Sequence, residues 1–107
     1  MLLDEHAVTA NSALTPSNEG GEPLTLGQLF ATAEQLCKAG QNAIAVALYQ
    51  DWLSDETQPL RHLAFFNLGS LLQSVGDTTG ALTAYRNCLI LQPGFPQAVI
   101  NLGLVLE

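Results

Sequence analysis

The tripeptide Asn-Leu-Gly occurs at Asn67–Gly69 and again, 34 residues later, at Asn101–Gly103. A fixed period of this length in a helical sequence is typical of stacked helix–turn–helix units. Such units cannot bury their apolar faces alone, so they stack on their neighbours into an elongated body. The period therefore predicts an all-α fold, an α-solenoid of antiparallel helix pairs.

The clearest unit covers residues 62–95 and divides into two amphipathic helices joined by a short turn. The apolar stripes of these two helices comprise Phe65, Leu68, Leu72 and Val75 in the first, and Ala81, Leu82, Tyr85, Cys88, Leu89 and Leu91 in the second. Gly76 suits the left-handed residue that follows a helix, and Asp77 can cap the next helix. Pro93 and Gly94 then end the second helix.

Seven residues of this unit stand at the spacing of a known pattern, namely Phe65, Leu68, Gly69, Leu72, Ala81, Tyr85 and Pro93. The chain is thus similar to tetratricopeptide repeat proteins. In that pattern the small residues let two helices approach closely, and the aromatic residues fill the space around them. The resemblance implies a repeat domain over residues 25–107, with two units at about 26–59 and 62–95 and a partial unit at 96–107.

We expect five helices, near residues 26–39, 42–54, 60–75, 78–91 and 96–107. Thr25 and Gln28 form a capping box at the start of the first helix, and Leu24 can pack on Leu29. Pro96 suits the first turn of the last helix. Because the sequence stops after one helix of the third unit, we expect the chain to be part of a longer protein, unless a second copy covers that helix.

Residues 1–24 are acidic and poor in aromatic side chains, which predicts a flexible leader. The net charge is −7, and the three basic residues are scattered along the chain. Nucleic acid needs clustered cations, so it is excluded as a partner. No segment has the length or apolarity of a membrane span or a secretory signal. Two distant cysteines predict neither a disulfide framework nor a metal site, and a reducing cytoplasm fits them best.

The candidate functional residues lie on the first helix of each unit, which lines the concave surface in tetratricopeptide repeats. We expect a peptide-binding groove formed by Phe30, Phe66, Asn67, Ser70, Ile100, Asn101 and Leu104. An Asn amide offers both donors and acceptors, so the two asparagines could hold a polypeptide backbone without reading its sequence. In the alternative interpretation, the apolar residues pack on neighbouring helices and the asparagines brace turns.

These features favour a scaffold that binds a protein or peptide partner. No catalytic motif, metal-ligand cluster or cofactor site is recognisable, so we expect no enzyme activity from these residues. Residues 48–107 are also similar to the repeats that precede the catalytic domain in bacterial SPINDLY-type O-linked N-acetylglucosamine transferases. That resemblance implies presentation of acceptor polypeptides to a glycosyltransferase domain. The alternative function is structural self-assembly, a homo-oligomer formed through the exposed last helix.

Overall fold

A computed structural model of the chain describes residues 24–106, and these form an elongated stack of five α-helices with no β-strand. The principal dimensions are 55 × 28 × 18 Å. The helices are α1 (Leu26–Lys38), α2 (Asn42–Leu53), α3 (Arg61–Ser74), α4 (Thr78–Leu91) and α5 (Pro96–Leu106). Each helix packs on the next one along the chain. The predicted all-α solenoid of helix pairs is confirmed for these residues.

The ends of the helices follow local sequence signals. Thr25 and Gln28 exchange hydrogen bonds of 2.9 and 3.1 Å in the predicted capping box. Asp77 caps α4 by accepting a 2.9 Å hydrogen bond from the backbone N–H of Gly80. Gly40 and Gly76 have φ angles of 78° and 87°, which is the left-handed conformation that ends a helix. These signals explain why the helices begin and end within about a residue of their predicted limits.

The core of the first helix pair includes the residue that precedes it. Leu24 is buried, and its carbonyl oxygen accepts a 2.7 Å hydrogen bond from the indole N–H of Trp52. Trp52 thus occupies the position that corresponds to Cys88 in the next unit. Its indole N–H, although buried, is satisfied by a backbone carbonyl. Leu24 is the last residue of the flexible leader that we expected over residues 1–24. Residues 1–23, and the mobility expected for them, lie outside the described residues.

The connection between the two helix pairs contains a backbone feature that the sequence did not predict. Leu60 adopts a left-handed conformation with φ 58°, although it is not a glycine. Directly after it, the Arg61 guanidinium donates a 2.7 Å hydrogen bond to the carbonyl oxygen of Leu53, at the end of α2. The same guanidinium lies 5.3 Å from the centre of the Phe65 ring. Arg61 therefore joins α2 to α3 and interacts favourably with the negative end of the α2 dipole.

The second helix pair is packed around Tyr85, which is fully buried. Its ring lies against the backbone of Gly69. Gly69 thus lets α3 and α4 approach closely, as we expected from the repeat pattern. Cys88 is also fully buried, and burial raises the pKa of its thiol. No helix within residues 24–106 is long and apolar enough to cross a membrane.

Candidate protein-binding groove

The predicted groove residues occupy corresponding positions on alternate helices. Phe30 lies on α1; Phe66, Asn67 and Ser70 lie on α3; Ile100, Asn101 and Leu104 lie on α5. Their spacing within each helix puts them on one side of it. We name this set the groove residues. Their surroundings differ, and three groups can be distinguished: the asparagines with Ser70, the phenylalanines, and the aliphatic residues of α5.

Asn101 is tied to the preceding unit through the hydroxyl of Tyr85. The Tyr85 hydroxyl donates a 2.8 Å hydrogen bond to Oε1 of Gln73. Its oxygen lies 3.3 Å from the Ser70 hydroxyl and accepts a 3.3 Å hydrogen bond from Nδ2 of Asn101. A single phenol thus contacts two residues of its own unit and one residue of the next unit.

Asn67 stands in the same relation to Tyr49 of the first unit. Burial raises the pKa of the Tyr49 hydroxyl, and a side-chain hydrogen bond with Asn67 opposes this rise. Each asparagine therefore lies beside the tyrosine of the preceding helix pair, and Asn101 bonds to it at 3.3 Å. Asn101 thus contacts a neighbouring helix, whereas the alternative interpretation has the asparagines bracing turns. An amide can make several hydrogen bonds, however, so bracing and ligand binding are compatible.

The two groove phenylalanines pack on the same tyrosines. The Phe30 and Tyr49 ring centres are 6.4 Å apart, and those of Phe66 and Tyr85 are 5.8 Å apart. Phe66 also meets Phe95 edge to face at 5.3 Å. These separations are typical of stabilising aromatic pairs. Both phenylalanines remain half-buried, so they present only part of each ring to a ligand.

His62, which the sequence places at the start of a helix, extends this aromatic cluster. Its ring lies edge-on to Phe95, with 5.5 Å between the ring centres. No sequence motif marks this contact, because Phe95 lies in the turn between α4 and α5, and the approach of that turn to α3 depends on how the helices pack.

The aliphatic groove residues on α5 are open. Ile100 and Leu104 are 60% and 58% exposed, in contrast to the half-buried Phe66 at the position that matches Ile100. Gly103 matches Gly69, yet a Cβ atom built there would meet nothing within 4 Å. Among residues 24–106, no side chain covers this part of α5 as Tyr85 covers Gly69.

The groove offers amides, hydroxyls and apolar side chains rather than reactive groups. No group of three or more metal-ligating side chains occurs within the described part of the chain. Cys37 is half-buried and Cys88 is fully buried, and neither forms a disulfide. Hydrogen bonding and apolar contact are therefore the interactions that this surface provides.

Sequence reasoning did not identify the tyrosine hydroxyls as partners of the asparagines. Tyr49 precedes Asn67 by 18 residues and Tyr85 precedes Asn101 by 16 residues. The recurrence of a Tyr followed by an Asn was the available signal, but the two residues inserted between the units obscured it.

Comparison with known proteins gives two similarities of limited extent, and no protein-family profile matches the chain. A probable biofilm formation methyltransferase, WspC of Pseudomonas putida, is 33% identical over 79 residues, which cover 74% of this chain and 18% of that protein. The Photosystem I assembly protein Ycf3 of Cyanophora paradoxa is 36% identical over 67 residues, covering 62% of this chain and 39% of that protein. The chain therefore spans less than half the length of either relative.

Together with the helix pairs, these similarities indicate helical repeats of the tetratricopeptide type. The name of the first relative refers to a methyltransferase and that of the second to photosystem assembly. The match to the methyltransferase covers too little of that protein to indicate its chemistry here.

Proposed function

We propose that this chain is a protein-interaction module that binds an extended segment of a partner protein along the groove residues. The observation that carries this proposal is the pairing of Asn101 with Tyr85, which holds the amide in a fixed position beside the exposed Ile100 and Leu104. A preorganised polar group next to open apolar surface is a common arrangement in binding sites, because little side-chain freedom is lost when the ligand binds.

The hydrogen bond to Tyr85 uses one N–H of the Asn101 amide. The second N–H and the carbonyl oxygen can serve a ligand, and they match the acceptor and donor of a peptide unit. Asn67 is the corresponding residue on α3 and has the same capacity. Two amides repeated along the stack would hold a backbone at two points, while Ile100 and Leu104 would contact its apolar side chains.

One specific use of such a groove is the presentation of acceptor segments to a protein O-glycosyltransferase domain. Recognition of the backbone rather than of side chains would suit an enzyme that modifies many proteins. This narrower proposal depends on the sequence resemblance to SPINDLY-type proteins alone, since neither relative's name refers to glycosyl transfer.

The test begins with a displayed library of unstructured peptides, from which binders of the intact chain are selected. The affinity of one selected peptide is then measured for Asn67→Ala/Asn101→Ala and for Ile100→Ser/Leu104→Ser. We expect each double variant to bind about 5- to 150-fold more weakly. The control is Arg86→Ala, an exposed change on α4 that should leave the affinity unchanged.

Stability has to be measured on the same samples, because the asparagines also contact the tyrosines. Tyr85→Phe removes the hydroxyl partner of Asn101 but keeps the amide, so it separates bracing from binding. If the asparagine variant binds as tightly as the parent while melting much earlier, the asparagines are structural and the groove assignment is wrong.

Self-assembly through α5 is the second candidate function. Val99 and Leu106 are 52% and 57% exposed, although they match Phe65 and Leu72, which lie at the interface of the second unit. Light scattering over a concentration series tests this candidate. Self-assembly predicts a rising mass for the parent and a constant monomer mass for Val99→Ser/Leu106→Ser. A parent that stays monomeric at every concentration excludes it.

A further inference from the structure

A second candidate binding surface lies on the side of α3 opposite to the groove residues. A cavity of about 480 Å³ opens between α2 and α4, and its floor is formed by Phe65, Leu68 and Leu72 of α3. These three residues follow a spacing of three and four, which puts them on a single stripe of the helix. Because successive residues turn by about 100° around a helix, the stripe points away from Asn67 and Ser70.

The walls of this cavity combine small and polar side chains. The residues that line it besides the floor are Val46, Gln50, Leu53 and Ser54 on the α2 side and Asp77, Gly80, Thr83, Ala84 and Asn87 on the α4 side. The amides of Gln50 and Asn87 stand on opposite walls. They can hydrogen bond to a peptide backbone that lies over the apolar floor.

Gly80 lines the cavity next to the Asp77 cap, where there is little room for a side chain. A Cβ atom on Gly80 would lie 2.6 Å from Oδ2 of Asp77 and 3.1 Å from Cδ1 of Leu72. Asp77 caps α4 through the Gly80 N–H. A side chain at position 80 would therefore require the Asp77 carboxylate to shift.

A separate, smaller cavity of about 210 Å³ lies on the other side of the C-terminal turn of α2, and Ser54 lines both cavities. Two of its lining residues are acidic, Asp51 and Asp55, and Asp77 lines the larger cavity. The C-terminus of α2 lies here as well, where Arg61 bonds to the Leu53 carbonyl oxygen. The surface is therefore negative beside an apolar depression.

Besides the hydrogen bonds from Thr57, the charge of Arg61 helps to lower the pKa of Asp55, so Arg61 offsets part of this negative charge. The Arg61 guanidinium is held by the Leu53 carbonyl and the Phe65 ring. Lys38 lies 3.5 Å from the carboxylate of Glu34 on the same helix. A partner cation can complement Asp51, which is exposed and lines the smaller cavity with Ser54.

We propose that these two cavities, which meet at Ser54, bind a segment of a partner protein that has a large apolar side chain close to a Lys or Arg. The apolar side chain fills the larger cavity over Phe65 and Leu68, and the cation lies at the smaller one beside Asp51 and Asp55. This surface is separate from the groove residues. Its test is thus independent of the function proposed above.

The probe is the blocked peptide Ser-Leu-Phe-Gly-Lys-Arg-Ser, titrated into the isotope-labelled full chain and followed by the amide resonances. We expect saturable shifts at Val46, Thr83 and Asn87 and at the indole of Trp52, the sole tryptophan and a lining residue of the smaller cavity. Two control peptides change Leu and Phe to Ser or change Lys and Arg to Glu. Each should bind at least about 10-fold more weakly.

The matched variants are Thr83→Leu, which extends into the larger cavity, and Thr79→Leu, the same change one turn earlier at an exposed position outside it. Thr83→Leu should lose at least about 10-fold in affinity, whereas Thr79→Leu should bind as the parent does. Asp51→Lys, at an exposed position, should weaken binding of the basic peptide and strengthen binding of the peptide with Glu.

Three results would each overturn the proposal. The first is the absence of saturable shifts with the parent at millimolar peptide. The second is equal affinity for Thr83→Leu and Thr79→Leu. The third is a set of resonance shifts confined to α5 and the groove residues, which would show that the peptide binds at the groove instead of at the two cavities.

Discussion

Gly69 and Tyr85 touch across the interface of α3 and α4, so that a Cβ atom on Gly69 would lie 2.6 Å from Cε1 of the tyrosine ring. No real side chain can approach a ring so closely, so glycine is required for this packing of the two helices. The Asn-Leu-Gly repeat that predicts the fold thus contains the residue that makes the interface.

Gly69→Ala should therefore destabilise the chain by about 1–3 kcal/mol, because the new methyl group forces Tyr85 out of its position. The matched change is Gly103→Ala, where nothing lies within 4 Å. That variant should be stabilised by about 0.5–1 kcal/mol, since Ala favours the helix over Gly. Urea unfolding measures both values. Equal changes in the free energy of unfolding at the two positions would show that contact with the Tyr85 ring is not the reason that glycine is required at position 69.

Tyr85 contributes both its ring and its hydroxyl to stability. Tyr85→Ala should cost about 3–5 kcal/mol through loss of a fully buried aromatic side chain. Tyr85→Phe keeps the ring and removes only the hydrogen bonds to Gln73, Ser70 and Asn101. It should cost about 0.5–1.5 kcal/mol, because the freed polar groups are half-buried or exposed and can bind water. A loss under about 1 kcal/mol for Tyr85→Ala would contradict its role as the interhelical filler.

Leu60 holds a left-handed backbone conformation that costs a residue with a Cβ atom roughly 1–2 kcal/mol. Asn tolerates this conformation better, and Leu60 is exposed enough to lose little apolar contact. Leu60→Asn should raise the free energy of unfolding by about 0.5–1 kcal/mol. Val75→Asn serves as the control, because Val75 is also exposed and has φ −95°. If Leu60→Asn lowers the melting temperature, the contacts of the leucine side chain stabilise the chain by more than the backbone strain at this position costs.

The two cysteines should differ in reactivity toward a thiol reagent such as a disulfide dye. Cys88 is fully buried and its pKa is raised by burial, so its thiolate is scarce and inaccessible. Cys37 is half-buried and should react in the native state. We expect one thiol per native chain to react readily, two in denaturant, and none readily in native Cys37→Ser. Rapid reaction of both thiols in the native chain would show that the α3–α4 core opens easily.

The local features of this fold were predictable because each depends on residues close in sequence. The capping box at Thr25, the cap at Asp77 and the left-handed Gly40 and Gly76 are all of this kind. The 34-residue period supplied the order of the helices. Together these signals were enough for the all-α solenoid.

Contacts between distant residues were not predictable in the same way. The bond from Trp52 to Leu24 spans 28 residues, and the reach of Arg61 to Leu53 depends on the unusual backbone at Leu60. Neither partner is marked by a motif. The candidate groove positions followed from the repeat, but their different exposures, such as open Ile100 and half-buried Phe66, depend on which helices lie beside them.

The hydrogen bond that joins Tyr85 to the next unit comes from the C-terminal side of the stack. The Tyr85 hydroxyl accepts a hydrogen bond from Asn101 of the unit that follows, and Asn67 lies beside Tyr49 in the same direction along the stack. The second unit thus receives part of its stability from its C-terminal neighbour. In such an array, separation of a later unit withdraws a contact from the one before it. Fraying that starts at α5 should accordingly loosen Tyr85 before Tyr49, and hydrogen exchange should advance from the C-terminal helices toward α1.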